Sequence, residues 1–112
     1  MRLDTELDGH FLKRLPDGSM RRDVSFADAD GVMFLCPKCY AANKGNVGTH
    51  SVICWFVGKV PDDVDPKPGR WTPSGTGLND LTFVPGNPPK AISVLLTSGC
   101  GWHGYVKDGE AN

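Results

Sequence analysis

Cys36-Pro37-Lys38-Cys39 sets two thiols three positions apart, and Cys100-Gly101-Trp102-His103 repeats that spacing with a thiol and an imidazole near the other end of the sequence. Zinc takes four tetrahedral N or S ligands at about 2.0–2.3 Å, and an x-x spacing lets one tight turn aim two donors at a single point. Pro37 stiffens the first turn, and Gly101 permits a close approach in the second. Neither half is specific alone. Together, in a chain with four cysteines and three histidines, they predict one Zn²⁺ held by Cys36, Cys39, Cys100 and His103. The competing reading makes Cys100 a small buried hydrophobe and His103 a surface imidazole.

His50 and Cys54 are rival donors. On one strand their Cα atoms lie about 13 Å apart, at roughly 3.3 Å per residue, so at most one of them can reach the ion. Cys54, between Ile53 and Trp55, suits a core; His50 suits a hydrogen-bonded position at a strand mouth, and His10 a surface. A closed Cys₃His set leaves no position for a reactive water, which makes the predicted metal structural. Dithiol redox chemistry requires a helix after C-P-K-C, and "YAANKGNVG" reads as a poor one. The H-x-E and P-C-x-x-C pattern of the zinc deaminases is absent. "SGTGLND" has glycines without the Lys-Ser/Thr ending of a phosphate loop. Asp80 and Asp108 read as a loop acid and a turn acid. Trp55, Trp71, Trp102, Phe83 and Tyr105 could form a stacking platform, although a chain this small needs most of them in its core, with Trp102 expected to be the most exposed.

Several elements must position these donors. "VMFL" at 32–35 reads as a buried strand entering the first thiol pair. "HSVICWFVG" from 50 is the strongest strand, with Val52, Cys54 and Phe56 on one face and Ile53, Trp55 and Val57 on the other. Leu7, Phe11, Leu12 and Leu15 have helical spacing behind a possible Thr5 cap, which predicts a short N-terminal helix over 5–15. "PDGS" is turn chemistry, "MRRDVSF" an exposed strand, and "ADADG" a turn or single helical turn. Residues 58–70, with three prolines, read as a polar surface loop. Two short strands follow around Trp71 and around 81–84, then a buried-looking strand in "AISVLLTSG" and a final strand ending in an Asp-Gly turn.

A length of 112 residues fits one domain over 1–112, since two cores would each be marginal. Apolar and charged fractions are ordinary, while 14 Gly and 9 Pro favour turns over long helices. The expected fold is therefore all-β and zinc-ribbon-like: short antiparallel sheets or a sandwich, with one short helix at the N-terminus. A formal charge of −1 gives no support to nucleic-acid binding. Acids scattered through the first eighteen residues argue against a secretory signal, and no apolar run reaches the roughly 20 residues that span a bilayer. The expectation is a soluble intracellular protein with no membrane association. In a reducing compartment its thiols point to metal and not to disulfides.

The segments "ADGVMFLCPKC", "THSVICWF", "GRWTPSGTGLNDLTFVP" and "SVLLTSGCGWHGYV" with its following "DGE" resemble a family of small phage and prophage proteins of unassigned function, over most of the chain from about residue 29. The matching elements are Cys36 and Cys39, Trp71 through Pro85, and Cys100 and His103. The resemblance implies a phage accessory protein in the bacterial host cytoplasm and supplies no reaction. An oxygenase label sometimes attached to such proteins finds no two-histidine carboxylate triad here. The functional expectation is a non-enzymatic module that binds a host or phage protein through loop 58–70 or the Trp102 face. The alternatives are a nucleic-acid-binding zinc ribbon and a small zinc hydrolase using Cys54 or His50 with Asp80.

Overall fold

The computed structural model describes residues 1–97 and 99–112. Its centre is a four-stranded antiparallel sheet made of β1 (His10–Arg14), β2 (Met20–Arg22), β3 (Gly31–Leu35) and β4 (Ser51–Trp55), in the order β2-β1-β3-β4. Side chains alternate across a strand, and β4 divides as its sequence predicts. Val52 and Cys54, with Phe56 just beyond, enter the main core, while Trp55 packs with Leu12 and Val60 in a smaller cluster on the other face, flanked by Ile53. "VMFL" lies within β3, which pairs along its whole length with β4.

The N-terminal helix expected over 5–15 is not formed. Residues 10–14 are strand β1, paired with β2 on one side and β3 on the other. The helical spacing of its apolar residues has a different cause: both faces of β1 are covered, Phe11 by the main core and Leu12 by the Trp55 cluster. Leu3 and Leu7, fully buried, precede the strand in irregular chain. "MRR" in β2 is exposed, and the acid-rich stretch forms a 3-10 turn at Phe26–Asp28 capped by Ser25.

The remaining strands form three two-stranded ladders. They pair β5 (Thr72–Ser74) with β6 (Thr82–Val84), β7 (Val94–Leu95) with β8 (His103–Gly104), and β9 (Val106–Lys107) with β10 (Glu110–Ala111). Asp108 and Gly109 connect the last pair with φ of 52° and 78°, the two positive values that a two-residue hairpin turn of the primed type needs. The two ends of the chain meet: Leu3 N–H donates to the Gly109 carbonyl at 2.9 Å, and Ala111 N–H to the Met1 carbonyl at 2.9 Å. The described residues thus make a small, mostly-β fold of short antiparallel sheets.

Among the described residues there is one α-helix, α1 (Pro37–Asn43), and it follows the first thiol where the sequence reads as a poor helix former. Proline at the first helical position has φ already set and no amide to leave unpaired. Lys44 then closes the helix in the left-handed conformation, φ 55°. Asn43, Lys44 and Gly45 therefore end this helix; they do not prevent it.

Loop 58–70 carries no strand or helix, as expected, yet it is built around a buried cation. The Arg70 side chain is 3% exposed and directs its guanidinium into the loop's own carbonyls. Nε donates to Val60 (3.2 Å), one terminal nitrogen to Pro66 (2.9 Å) and Gly69 (2.7 Å), and the other to Pro61 and to Val64 (2.7 Å). All five guanidinium donors are satisfied by main chain.

Candidate metal centre

Residues Leu35 and Ser51 are opposite one another in the β3–β4 ladder, and the pairing runs one step further. Cys36 N–H donates to the His50 carbonyl at 2.9 Å, which places Cys36 and His50 side by side at the mouth of the sheet. Cys36 also caps α1, so the first turn of that helix carries Cys39 back towards it. The connection between β7 and β8 brings Cys100 from the far end of the sequence. Gly99 and Gly101 flank it with φ of 66° and 68°, a conformation that favours glycine. Lys38 Nζ donates to the Cys100 carbonyl at 2.7 Å, fixing this loop to α1.

These segments place one donor atom each from Cys36, Cys39, His50 and Cys100 within 4.8 Å of one another, the one such group of three or more among the described residues. Cys36 Sγ and Cys100 Sγ are 3.5 Å apart, and His50 Nε2 is 3.4 Å from Cys100 Sγ. A zinc tetrahedron with bonds of about 2.0–2.3 Å has S–S edges of about 3.8 Å and N–S edges of about 3.6 Å. The two named distances are close to those edges, and the 4.8 Å bound leaves the other edges at most about 1 Å to contract around a tetrahedral ion. His50 Nδ1 lies 3.3 Å from the Ser51 carbonyl, which can only accept. With an ion bound, that contact would hold a proton on Nδ1 and leave the Nε2 lone pair for the metal, the outer-shell arrangement common to metal-binding histidines; without one, Nε2 is the hydrogen-bond partner of the Cys100 sulfur.

The thiols differ in acidity. The hydrogen bond with His50 leads the effects that pull Cys100 down to about 6. Cys39 is pushed up to about 11, first by desolvation and then by its two neighbouring thiols. Without an ion, negative charge thus collects on Cys100, and metal binding would have to displace the proton held by Cys39.

Three of the four predicted ligands, Cys36, Cys39 and Cys100, come together; His103 does not join them, and His50 stands in the fourth position. Strand alternation accounts for this. Trp102 turns into the core, 5% exposed, with its ring edge-on to Phe34 at 6.0 Å, so the next side chain in sequence turns out. His103 is exposed, its ring 6.2 Å from that of Tyr105. The signal that identifies His50 is the register of "VMFL" against "SVIC": pairing 35 with 51 puts 50 across from 36.

The other candidates have structural roles. Cys54 is fully buried in the core, and burial alone drives its thiol far above its ordinary value. Asp80 accepts from the Thr76 amide (2.8 Å), the Gly77 amide (2.9 Å) and the Thr76 hydroxyl (2.8 Å), which hold its carboxyl below the usual range and make it a turn cap. Asp108 forms the last hairpin. Trp55 and Phe83 are buried and Trp71 stacks on Phe83 at 5.7 Å, so Tyr105 is the exposed member of the aromatic set and Trp102 is not. His10 lies on β1 between two carboxylates, Asp23 at 2.7 Å and Asp8 at 3.1 Å. No helix among the described residues is long and apolar enough to cross a membrane.

A cleft of about 350 Å³ lies between β4 and the Arg70-held loop, with Val52, Ile53, Pro68, Trp71 and Leu95 on its walls. Comparison with protein-family models, with curated proteins and with solved structures found no match.

Proposed function

We propose that the chain is a small phage accessory protein, a non-enzymatic binding module whose fold is fastened by Zn²⁺ at Cys36, Cys39, His50 and Cys100. The observation that carries the metal assignment is the convergence of four N and S donors, from three separate stretches of sequence, within 4.8 Å of one another. Four protein ligands fill a zinc coordination sphere, so the ion holds β3, α1, β4 and the β7–β8 loop together and activates no water. Support for the phage assignment comes from the segments around Cys36, Trp71 and Cys100 that resemble such proteins. Loop 58–70 is the favoured contact surface for a protein partner, since Arg70 holds it in one shape and Trp102 is buried.

Metal analysis of reduced protein is expected to give one zinc per chain, with Cys36, Cys39 and Cys100 protected from alkylation. Chelation under reducing conditions should lower the melting temperature followed by circular dichroism. His50→Ala should abolish tight binding and His103→Ala should retain it. Unchanged melting with metal shown to be absent, or loss of zinc in the His103 variant alone, refutes the assignment. Capture from bacterial lysate with and without nuclease addresses the partner: recovery that depends on nucleic acid favours a nucleic-acid ribbon instead.

A further inference from the structure

Resting on the metal-binding reading of the same cluster, we propose that Cys36 and Cys100 are a reversible oxidation site, at which a two-electron oxidant such as hydrogen peroxide replaces the shared ion by a disulfide. Their sulfurs are 3.5 Å apart, and a disulfide needs about 2.05 Å. Closing the remaining gap of about 1.5 Å falls to the more compliant partner. Cys36 is wholly buried where β3 passes into α1, anchored by its amide on His50 and its carbonyl on the Tyr40 amide at 2.9 Å. Cys100 is partly exposed in a connecting loop. Among the described residues no heavy atom lies within 4 Å of where a Cβ would stand on Gly99 or Gly101, on either side of it, so Cys100 has space to move, and its tether to α1 is the end of the flexible, exposed Lys38 side chain, which can follow.

The order of attack follows from access. Cys100 sulfur displaces one peroxide oxygen as water or hydroxide and becomes a sulfenic acid; Cys36 sulfur then displaces the hydroxyl as a second water, and the S–S bond forms. Two thiols lose two electrons to one peroxide, the ion leaves as Zn²⁺ without changing oxidation state, and Cys39 and His50 are set free. Cys54, buried in the core, takes no part.

The disulfide joins the same two places that the ion had joined, the β3–α1 junction and the β7–β8 loop. Oxidation and chelation therefore differ in outcome: chelation under reducing conditions removes the tie, whereas oxidation exchanges one tie for another. The melting temperature of the oxidised, metal-free protein should accordingly lie above that of the reduced, metal-free protein.

Zinc-loaded protein, with its stoichiometry first established, would be titrated with hydrogen peroxide in the presence of a chromogenic zinc indicator. Failure to load zinc at all refutes the metal reading before any oxidant is added. In loaded protein, one ion should be released for every two thiols lost, and a non-reducing peptide map should show Cys36 linked to Cys100. Phosphine reductant with added zinc should restore the starting state. A predominant Cys36–Cys39 link, sulfinic acid without a cross-link, or zinc and thiols both intact at excess peroxide would each overturn the proposal. So would an oxidised form that melts no higher than the reduced apoprotein.

Discussion

Replacing Arg70 with methionine removes a cation whose five donors hold five carbonyls of a single loop. A hydrogen bond involving a charged group contributes about 1.5–3 kcal/mol. Five such terms taken at face value rival the whole stability of a small domain, about 5–15 kcal/mol. The loss is therefore capped by an alternative: the loop lifts away and its carbonyls return to water. Lifting exposes Val60, which is 4% exposed, and uncovers one side of Trp55, whose indole N–H donates to the Asp65 carbonyl at 2.9 Å. A buried side chain of that class is worth about 1.5–3 kcal/mol. Val60 and part of Trp55, with one hydrogen bond, place the expected loss at about 3–4 kcal/mol. Urea unfolding followed by tryptophan fluorescence measures it, and limited proteolysis should show new cleavage within 58–70. Arg70→Lys, which retains the charge but offers three donors from one point, should fall between methionine and the wild type. Asp62, 4.0 Å from the guanidinium and 93% exposed, adds little, so Asp62→Ala should be close to neutral. A methionine variant within about 0.5 kcal/mol of wild type and equally resistant to protease would show that the carbonyl cage does not hold the loop.

Two further predictions concern the turns and the N-terminal strand. The Asp23 hydrogen bond, reinforced by Asp8 and opposed by burial, raises the His10 pKa above its ordinary 6.5. That contribution is complete below about pH 6.5 and disappears as pH rises through the raised folded value. The stability advantage of wild type over His10→Asn should therefore shrink from pH 6 to pH 8; a difference that is flat across this range defeats the assignment. Gly109→Ala should cost about 2–4 kcal/mol, because the left-handed backbone alone costs about 1–2 kcal/mol and the new Cβ would meet the Asn79 carbonyl. Gly18→Ala, also at positive φ but in open space, should show only the conformational part, and equal losses at both sites would refute the steric account.

Much of this architecture was legible in the chain. The alternation in 51–57 assigns both faces of β4 correctly, and Asp108-Gly109 announces its hairpin. Three of the four clustered donors lie in the two x-x-spaced pairs. What failed has identifiable causes. Phe11 and Leu12 carry a helical period because the strand they share is covered on both faces. His50 belongs to no local motif, since its proximity to Cys36 exists only once two strands are in register. The role of Arg70 has no sequence signature, because its partners are main-chain carbonyls that any residue supplies. Trp102 lies between two predicted ligands, and only the alternation of side chains on entering β8 decides that tryptophan enters the core while His103 leaves it.

The spacing of the four donors along the chain bears on how the protein is made. During synthesis Cys36, Cys39 and His50 emerge well before Cys100. On the proposed zinc assignment, an ion captured at that stage would be open on one side and free to exchange. It would become locked in only when the late loop arrives, at about the time that β10 reaches Arg2. Metal retention and completion of the fold should then be a single late event, with a nascent polypeptide that stays loosely metallated until its last strands are available.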